Sequence, residues 1–146
     1  MSKIKQEINS KLDVLAFGAH PDDVELSMSG TLLKFTKLGY RIGIVDMTRG
    51  EMGSRGNADI RSMEARNAAK ILRLKVRGNL CLEDGQIQDT VKARLRVIKQ
   101  IRLYRPSLVF THYWDDPHPD HIFAMHNMSN IALLEEDLEN AERFAL

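Results

Sequence analysis

Cysteine is all but missing: Cys81 alone occurs in 146 residues. No internal disulfide can form, and a thiolate metal site has no support. Long hydrophobic runs are missing too, since nothing approaches the roughly eighteen apolar residues of a membrane span. Met1 to Lys11 is polar and charged, without the apolar centre of a signal peptide. An excess of one charge is also lacking. Lysine and arginine total 21 against 20 aspartate and glutamate, for a net charge of +1, so neither nucleic acid nor a membrane surface is indicated as a partner. The GK[ST] element of a P-loop is absent, and no GxGxxG follows the first apolar run, which weakens a nucleotide-binding reading. There are no repeats or low-complexity tracts. What is present is an ordinary globular composition, 43% hydrophobic and 28% charged, with one domain over residues 1–146 and a cytoplasmic location as the expectation.

Hydrophobic patterning predicts βαβαβαβα after a polar lead-in over residues 1–11. Leu12–Gly18 is a short, continuous apolar run, as a buried parallel strand should be. Val24–Leu38 has Met28, Leu32, Phe35 and Leu38 at helical spacing, with Gly39 as a stop. Tyr40–Met47 reads as the second strand, and Thr48–Asn57, with three glycines, as a loop. Asp59–Leu74 is expected as a helix capped by Asn57 or Asp59, with Ile60, Met63, Ala68, Ile71 and Leu72 facing inward. A third strand, Val76–Leu82, holds Cys81 as an inert buried thiol and leads to a turn at Glu83-Asp84-Gly85. Thr90–Tyr104 is a helix with Val91, Leu95, Ile98 and Ile101 inward, stopped by Pro106. Ser107–Thr111 is the fourth strand, followed by a helix from Asp120 to about Leu134 and an acidic remainder. This order argues a Rossmann-like three-layer α/β/α fold with a mainly parallel sheet and right-handed crossovers.

Two stretches carry the chemistry, each just past a strand, where open α/β sheets place their sites. The first is His20-Pro21-Asp22-Asp23 and the second His118-Pro119-Asp120-His121. Taken singly, each reads as a helix start with solvated histidines. Titratable side chains crowded at a strand end, however, cost desolvation unless a cation offsets it. If the first and fourth strands are near neighbours, both stretches open on one edge, and two imidazoles with one carboxylate make a catalytic zinc set. One aspartate of the first stretch is then left to move protons, and an Asp–His pair of the second to orient and stabilise charge. The loop TRGEMGSRG reads either as simple φ > 0 turns or as a rim that closes over substrate, with Arg49, Arg55 or Arg61 meeting hydroxyl or anionic groups. Spacing alone favours an ordinary i,i+3 pair between Arg61 and Glu64. His112 and His126 have no partner the sequence can name, and get no role.

On LAFGAHPDDVELSMSGTLLKFTKLGY, TRGEMGSRG with Arg61 and Glu64 behind it, and HPDH, residues 12–125 resemble the PIG-L/LmbE-type zinc N-acetylglucosamine deacetylases, most of all the bacillithiol-biosynthesis branch. The resemblance implies His20, Asp23 and His121 as ligands of Zn²⁺, with Fe²⁺ the alternative, and Asp22 as the general base. It implies His118 at the oxyanion, oriented by Asp120, and Arg61, Arg49 and Glu51 on the substrate. The expected reaction removes acetyl from an N-acetylglucosamine conjugate such as N-acetylglucosaminyl malate, and a homo-oligomer is expected. Family members run on well past the point matching Leu146, so this chain is expected to hold the metal-binding half of their fold. The competing readings are an inactive metal-binding remnant and an α/β sugar- or nucleotide-binding module.

Overall fold

The computed structural model describes the backbone of residues 11–134 and side chains as far as residue 129. The lead-in over residues 1–10 and the acidic remainder after Leu134 lie outside the described residues. Four strands, β1 (Val14–Gly18), β2 (Ile42–Thr48), β3 (Val76–Leu82) and β4 (Leu108–Phe110), alternate with helices α1 (Asp23–Lys37), α2 (Ala58–Ile71), α3 (Val91–Tyr104) and α4 (Pro119–Leu134). All pairings are parallel, in the order β3-β2-β1-β4. The predicted α/β architecture is therefore observed, element for element.

β1 and β2 are buried along their whole length, as expected of strands covered on both faces. Alternation divides their side chains between two cores. Leu15, Phe17, Val45 and Met47 join Val97 of α3 and Ala124 and Met128 of α4. Val14, Ala16, Ile42 and Ile44 join Val24 and Leu32 of α1 and Leu72 just after α2. The ends are chemically marked. Asn57 accepts the Asp59 and Ile60 N–H groups at the start of α2, Thr90 accepts that of Ala93 at the start of α3, and Arg105 closes α3 in a left-handed conformation before Pro106.

The outer helices bury less than their sequences predict. Ile60, Met63 and Ile71 of α2 and Val91 and Leu95 of α3 are exposed; Leu72, Ile98 and Ile101 of the expected stripes do face the core, together with Ala65, Ala93 and Val97. A helix over the rim of a four-stranded sheet covers only a narrow stripe, and alanine at the contact lets it approach closely. Cys81 is exposed as well, a correction with a plain cause: β3 is an edge strand, and Cys81 turns out of its ladder at φ +52. Among the described residues no helix is long and apolar enough to cross a membrane.

The strand order positions the site. From β1 the chain steps outward through β2 to β3, then returns so that β4 lies on the other side of β1, with Val14–Ala16 paired to Leu108–Phe110. The connections leaving β1 and β4 turn to opposite faces of the sheet. The crevice between their carboxyl ends is the topological switch point, and the two histidine–aspartate stretches meet there.

Candidate metal centre

Two imidazole nitrogens converge on one carboxylate oxygen. His20 Nδ1 and His121 Nε2 each lie 3.5 Å from Asp23 Oδ2. That is long for a hydrogen bond but close to the spacing of about 3.4 Å between neighbouring ligands on a tetrahedral ion held at 2.0–2.2 Å. Both far nitrogens stand near carboxylates, that of His20 in a hydrogen bond and that of His121 without one. His20 Nε2 lies 3.0 Å from Asp84 Oδ1 and 3.1 Å from Asp120 Oδ2, and His121 Nδ1 lies 3.1 Å from Asp116 Oδ2. An imidazole with one nitrogen facing a common centre and the other facing a carboxylate is the usual arrangement of a metal-bound histidine. His20, Asp23 and His121 thus fit a divalent ion, and they form one of the metal-compatible groups among the described residues.

The local folding explains the convergence. Gly18 packs against the His20 carbonyl and the side chains of Asp23 and Val24, where a Cβ would sit at 3.2–3.3 Å, so the chain can turn sharply off β1. The His20 N–H then donates to Asp23 Oδ2 at 2.8 Å. Burial opposes a charged His20 ring, but the hydrogen bond and charge of Asp23, with Asp120 and Asp84 behind, push its pKa up to about 9. Burial likewise opposes charge on Asp23, yet the neighbouring His112 and His20 rings and the His20 backbone N–H hold its carboxyl well below the usual carboxylate range. Carboxylates outnumber cations here, and the site wants a positive charge at its centre.

Asp22, between the two ligand candidates, points elsewhere. Its side chain is about half exposed at 55% and meets Arg61 Nη2 at 3.1 Å. Burial raises its pKa, with Arg61 opposing and Asp23 and Glu25 adding to the rise. Arg61 does not pair within its helix; it crosses to the Pro21 carbonyl at 2.7 Å and the Gly50 carbonyl at 3.2 Å. Gly50 and Gly53 pack on its guanidinium so closely that a side chain at either would strike it. The glycine loop is therefore a cradle for Arg61 as well as a set of turns.

His118 stacks on His121 with centroids 4.6 Å apart, and its Nδ1 accepts the Asp120 N–H at 3.2 Å. The Asp120 carboxylate itself is turned to His20 and to the Gly85 and Ile87 N–H groups. The other two loop residues singled out above are held within the structure. Arg49 pairs with Asp59 at 2.8 Å, and Glu51 accepts the N–H groups of Arg49 and Asp84. A cleft of about 360 Å³ opens beside the centre, lined by His20, Asp22, Met52, Arg61, Asp84 and His118 among others.

Three residues of the site have no role in the sequence reading: His112, Asp84 and Asp116. Asp84 was readable in principle, since it follows β3 as His20 follows β1, and in a parallel sheet the carboxyl ends share one rim. His112 likewise stands two residues beyond β4.

Residues 15–132 match the profile of the family described as PIG-L: GlcNAc-PI de-N-acetylase. An uncharacterized deacetylase, YaiS of Escherichia coli K12, is 34% identical over 140 residues, covering 90% of this chain and 73% of that protein. A probable N-acetyl-alpha-D-glucosaminyl L-malate deacetylase 2 of Bacillus anthracis is 31% identical over 74% of this chain and 54% of its own length. Among solved structures, the conserved protein TT1542 of Thermus thermophilus superposes with a TM-score of 0.80 at 41% identity, over 84% of this chain and 56% of that one. The chain thus spans about three quarters of one of these relatives and just over half of the others. With fold, site geometry and family profile in agreement, the chain belongs to the PIG-L family of de-N-acetylases.

Proposed function

We propose that this chain carries the metal-dependent centre of an N-deacetylase that hydrolyses the acetamide of an N-acetylglucosamine conjugate such as N-acetylglucosaminyl malate. The observation that carries the reading is the convergence of His20 Nδ1 and His121 Nε2 on Asp23 Oδ2, each at 3.5 Å, with the far nitrogen of His20 hydrogen-bonded to Asp120. His20, Asp23 and His121 would hold the ion, zinc being the first choice and iron(II) the alternative. When bound, such an ion lowers the pKa of water from 15.7 to about 7 and polarises a carbonyl. The similarity to a malate-conjugate deacetylase supports the choice of substrate.

The chain's own residues do the rest. Asp22 faces the cleft and is kept out of the ligand set by Arg61, so it takes a proton from the attacking water as the C–O bond forms. His118 lines the same cleft and donates to the developing oxyanion, its ring oriented by the Asp120 N–H and by stacking on His121. Collapse of the tetrahedral intermediate breaks the C–N bond. Asp22 returns its proton to the departing nitrogen, giving a free amine and acetate. Arg61 lines the cleft and meets the sugar end of the substrate, while Arg49 and Glu51 hold the loop behind it.

The test is acetate release from N-acetylglucosaminyl malate, with bound metal measured alongside. Asp22→Asn should lower turnover about 10²–10⁴-fold while leaving zinc content unchanged. Asp23→Ala should lose the zinc itself. Unchanged release in the first variant refutes the base, and full zinc occupancy in the second refutes the centre.

A further inference from the structure

His112 ties the two halves of the centre together through the backbone of the first stretch. It leaves the end of β4, and its Nε2 accepts the backbone N–H of Ala19, at the end of β1, at 2.8 Å across 93 residues of sequence. The same Nε2 stands 3.3 Å from Asp23 Oδ2. Its ring lies nearly flat on His121, with centroids 4.0 Å apart and planes 16° apart. His118 stacks on His121 as well, at 4.6 Å and 25°. Two rings cannot share one face of an imidazole at those distances, so His121 is held between them.

We propose that His112 is a positioning residue of the metal centre: it sets the plane of His121 and the mouth of the first motif by clamping the carboxyl ends of β4 and β1. It does not itself join the ligands. Its ring is parallel to that of His121, whereas two imidazoles binding one ion must aim their in-plane lone pairs at a common point. Its Nε2 lone pair is moreover spent on Ala19. The inference rests on the metal reading proposed above, and it concerns how well the three ligands are held in place. Residues that orient ligands in this way commonly contribute 10–100-fold in metal affinity.

Zinc affinity of the whole chain, measured by competition with a chromogenic chelator, tests the inference without recourse to catalysis. His112→Ala should weaken zinc binding by about 10–100-fold. His112→Gln, whose side-chain oxygen can again accept the Ala19 N–H, should recover part of that loss. Val109→Ala is the control, because it loosens β4 one turn of the pleat below the site without touching a ligand. The inference is overturned if His112→Ala binds zinc within twofold of wild type, or if Val109→Ala weakens binding as much. Should His112→Ala fail to fold, His112→Gln carries the comparison: affinity lower than in Val109→Ala supports the inference, and equal affinity overturns it. Asp23→Ala separates the two levels. Zinc retained there refutes the metal reading itself, whereas zinc lost there but kept in His112→Ala refutes only the role of His112.

Discussion

Asp22 holds a backbone conformation that its side chain makes costly. At φ +121 and ψ −24 it stands outside the regions open to residues with a Cβ, a strain of about 1–3 kcal/mol that persists where surrounding structure imposes it. The turn gains from this by sending adjacent carboxylates in different directions, Asp23 to the centre and Asp22 to Arg61. The strain can be measured by comparing two variants that both lack the carboxylate. Asp22→Gly should be more stable than Asp22→Ala by about 1 kcal/mol in thermal melts, the reverse of the usual ranking of these residues, while both lose acetate release alike. A more stable alanine variant would contradict the strain. At this scale the sequence was readable where chemistry is contiguous, as in His20-Pro21-Asp22-Asp23. It was silent on His112 and Asp84, whose partners come from other strands and share no local spacing with them.

Between elements, a buried charge cluster joins α1, β2 and β3. Arg77 grips the Asp46 carboxylate with two of its guanidinium nitrogens, Nε and Nη2, and meets Glu25 with the third. Burial, with Arg77 opposing and Glu25 adding repulsion, lifts the Asp46 pKa to about 7. Its folded value lies above its unfolded one, so the proton is held more tightly in the fold. That contribution is complete below the ordinary carboxylate range and is lost as pH rises toward 7. Asp46→Asn should therefore lose less stability than wild type between pH 4 and 8 in melts run with chelator, and parallel curves would contradict the shift. The glycine loop offers a second test. A Cβ on Gly53 would come within 2.8 Å of Arg61 Nη1, which is the mobile tip of a long side chain. Gly53→Ala should thus shift stability by less than about 1 kcal/mol, yet displace Arg61 and slow acetate release several-fold, with zinc content intact. Element order was legible because each strand and helix carries its own period and stop signal. The inward stripes of α2 and α3 were legible only in part, at Leu72, Ile98 and Ile101, because how much of a helix is covered depends on the sheet beneath it. Ile60, Met63, Val91 and Leu95 match the helical period and still face outward.

For the whole molecule, the centre is a point where ligand binding and folding are one equilibrium. The three ligands come from the turn after β1, the first residue of α1 and the first turn of α4, and only the folded chain presents them together. Zinc at about 100 times its dissociation constant should then raise unfolding free energy by about 2.7 kcal/mol, read as a chelator-reversible rise in melting temperature. Asp23→Ala should show no such rise, and an equal rise there would place the ion elsewhere. The strand order β3-β2-β1-β4 has a kinetic consequence. The β1–β4 pairing closes the longest loop in the sheet, as the Ala19–His112 hydrogen bond across 93 residues marks, and such closures are slow because their entropy is lost before their contacts form. In refolding, β1 and β2 can pair while the second half of the chain is still searching. Metal capture then belongs to the final docking of β4, and a nascent chain acquires its ion only once the first turn of α4, with His121, has been made and folded.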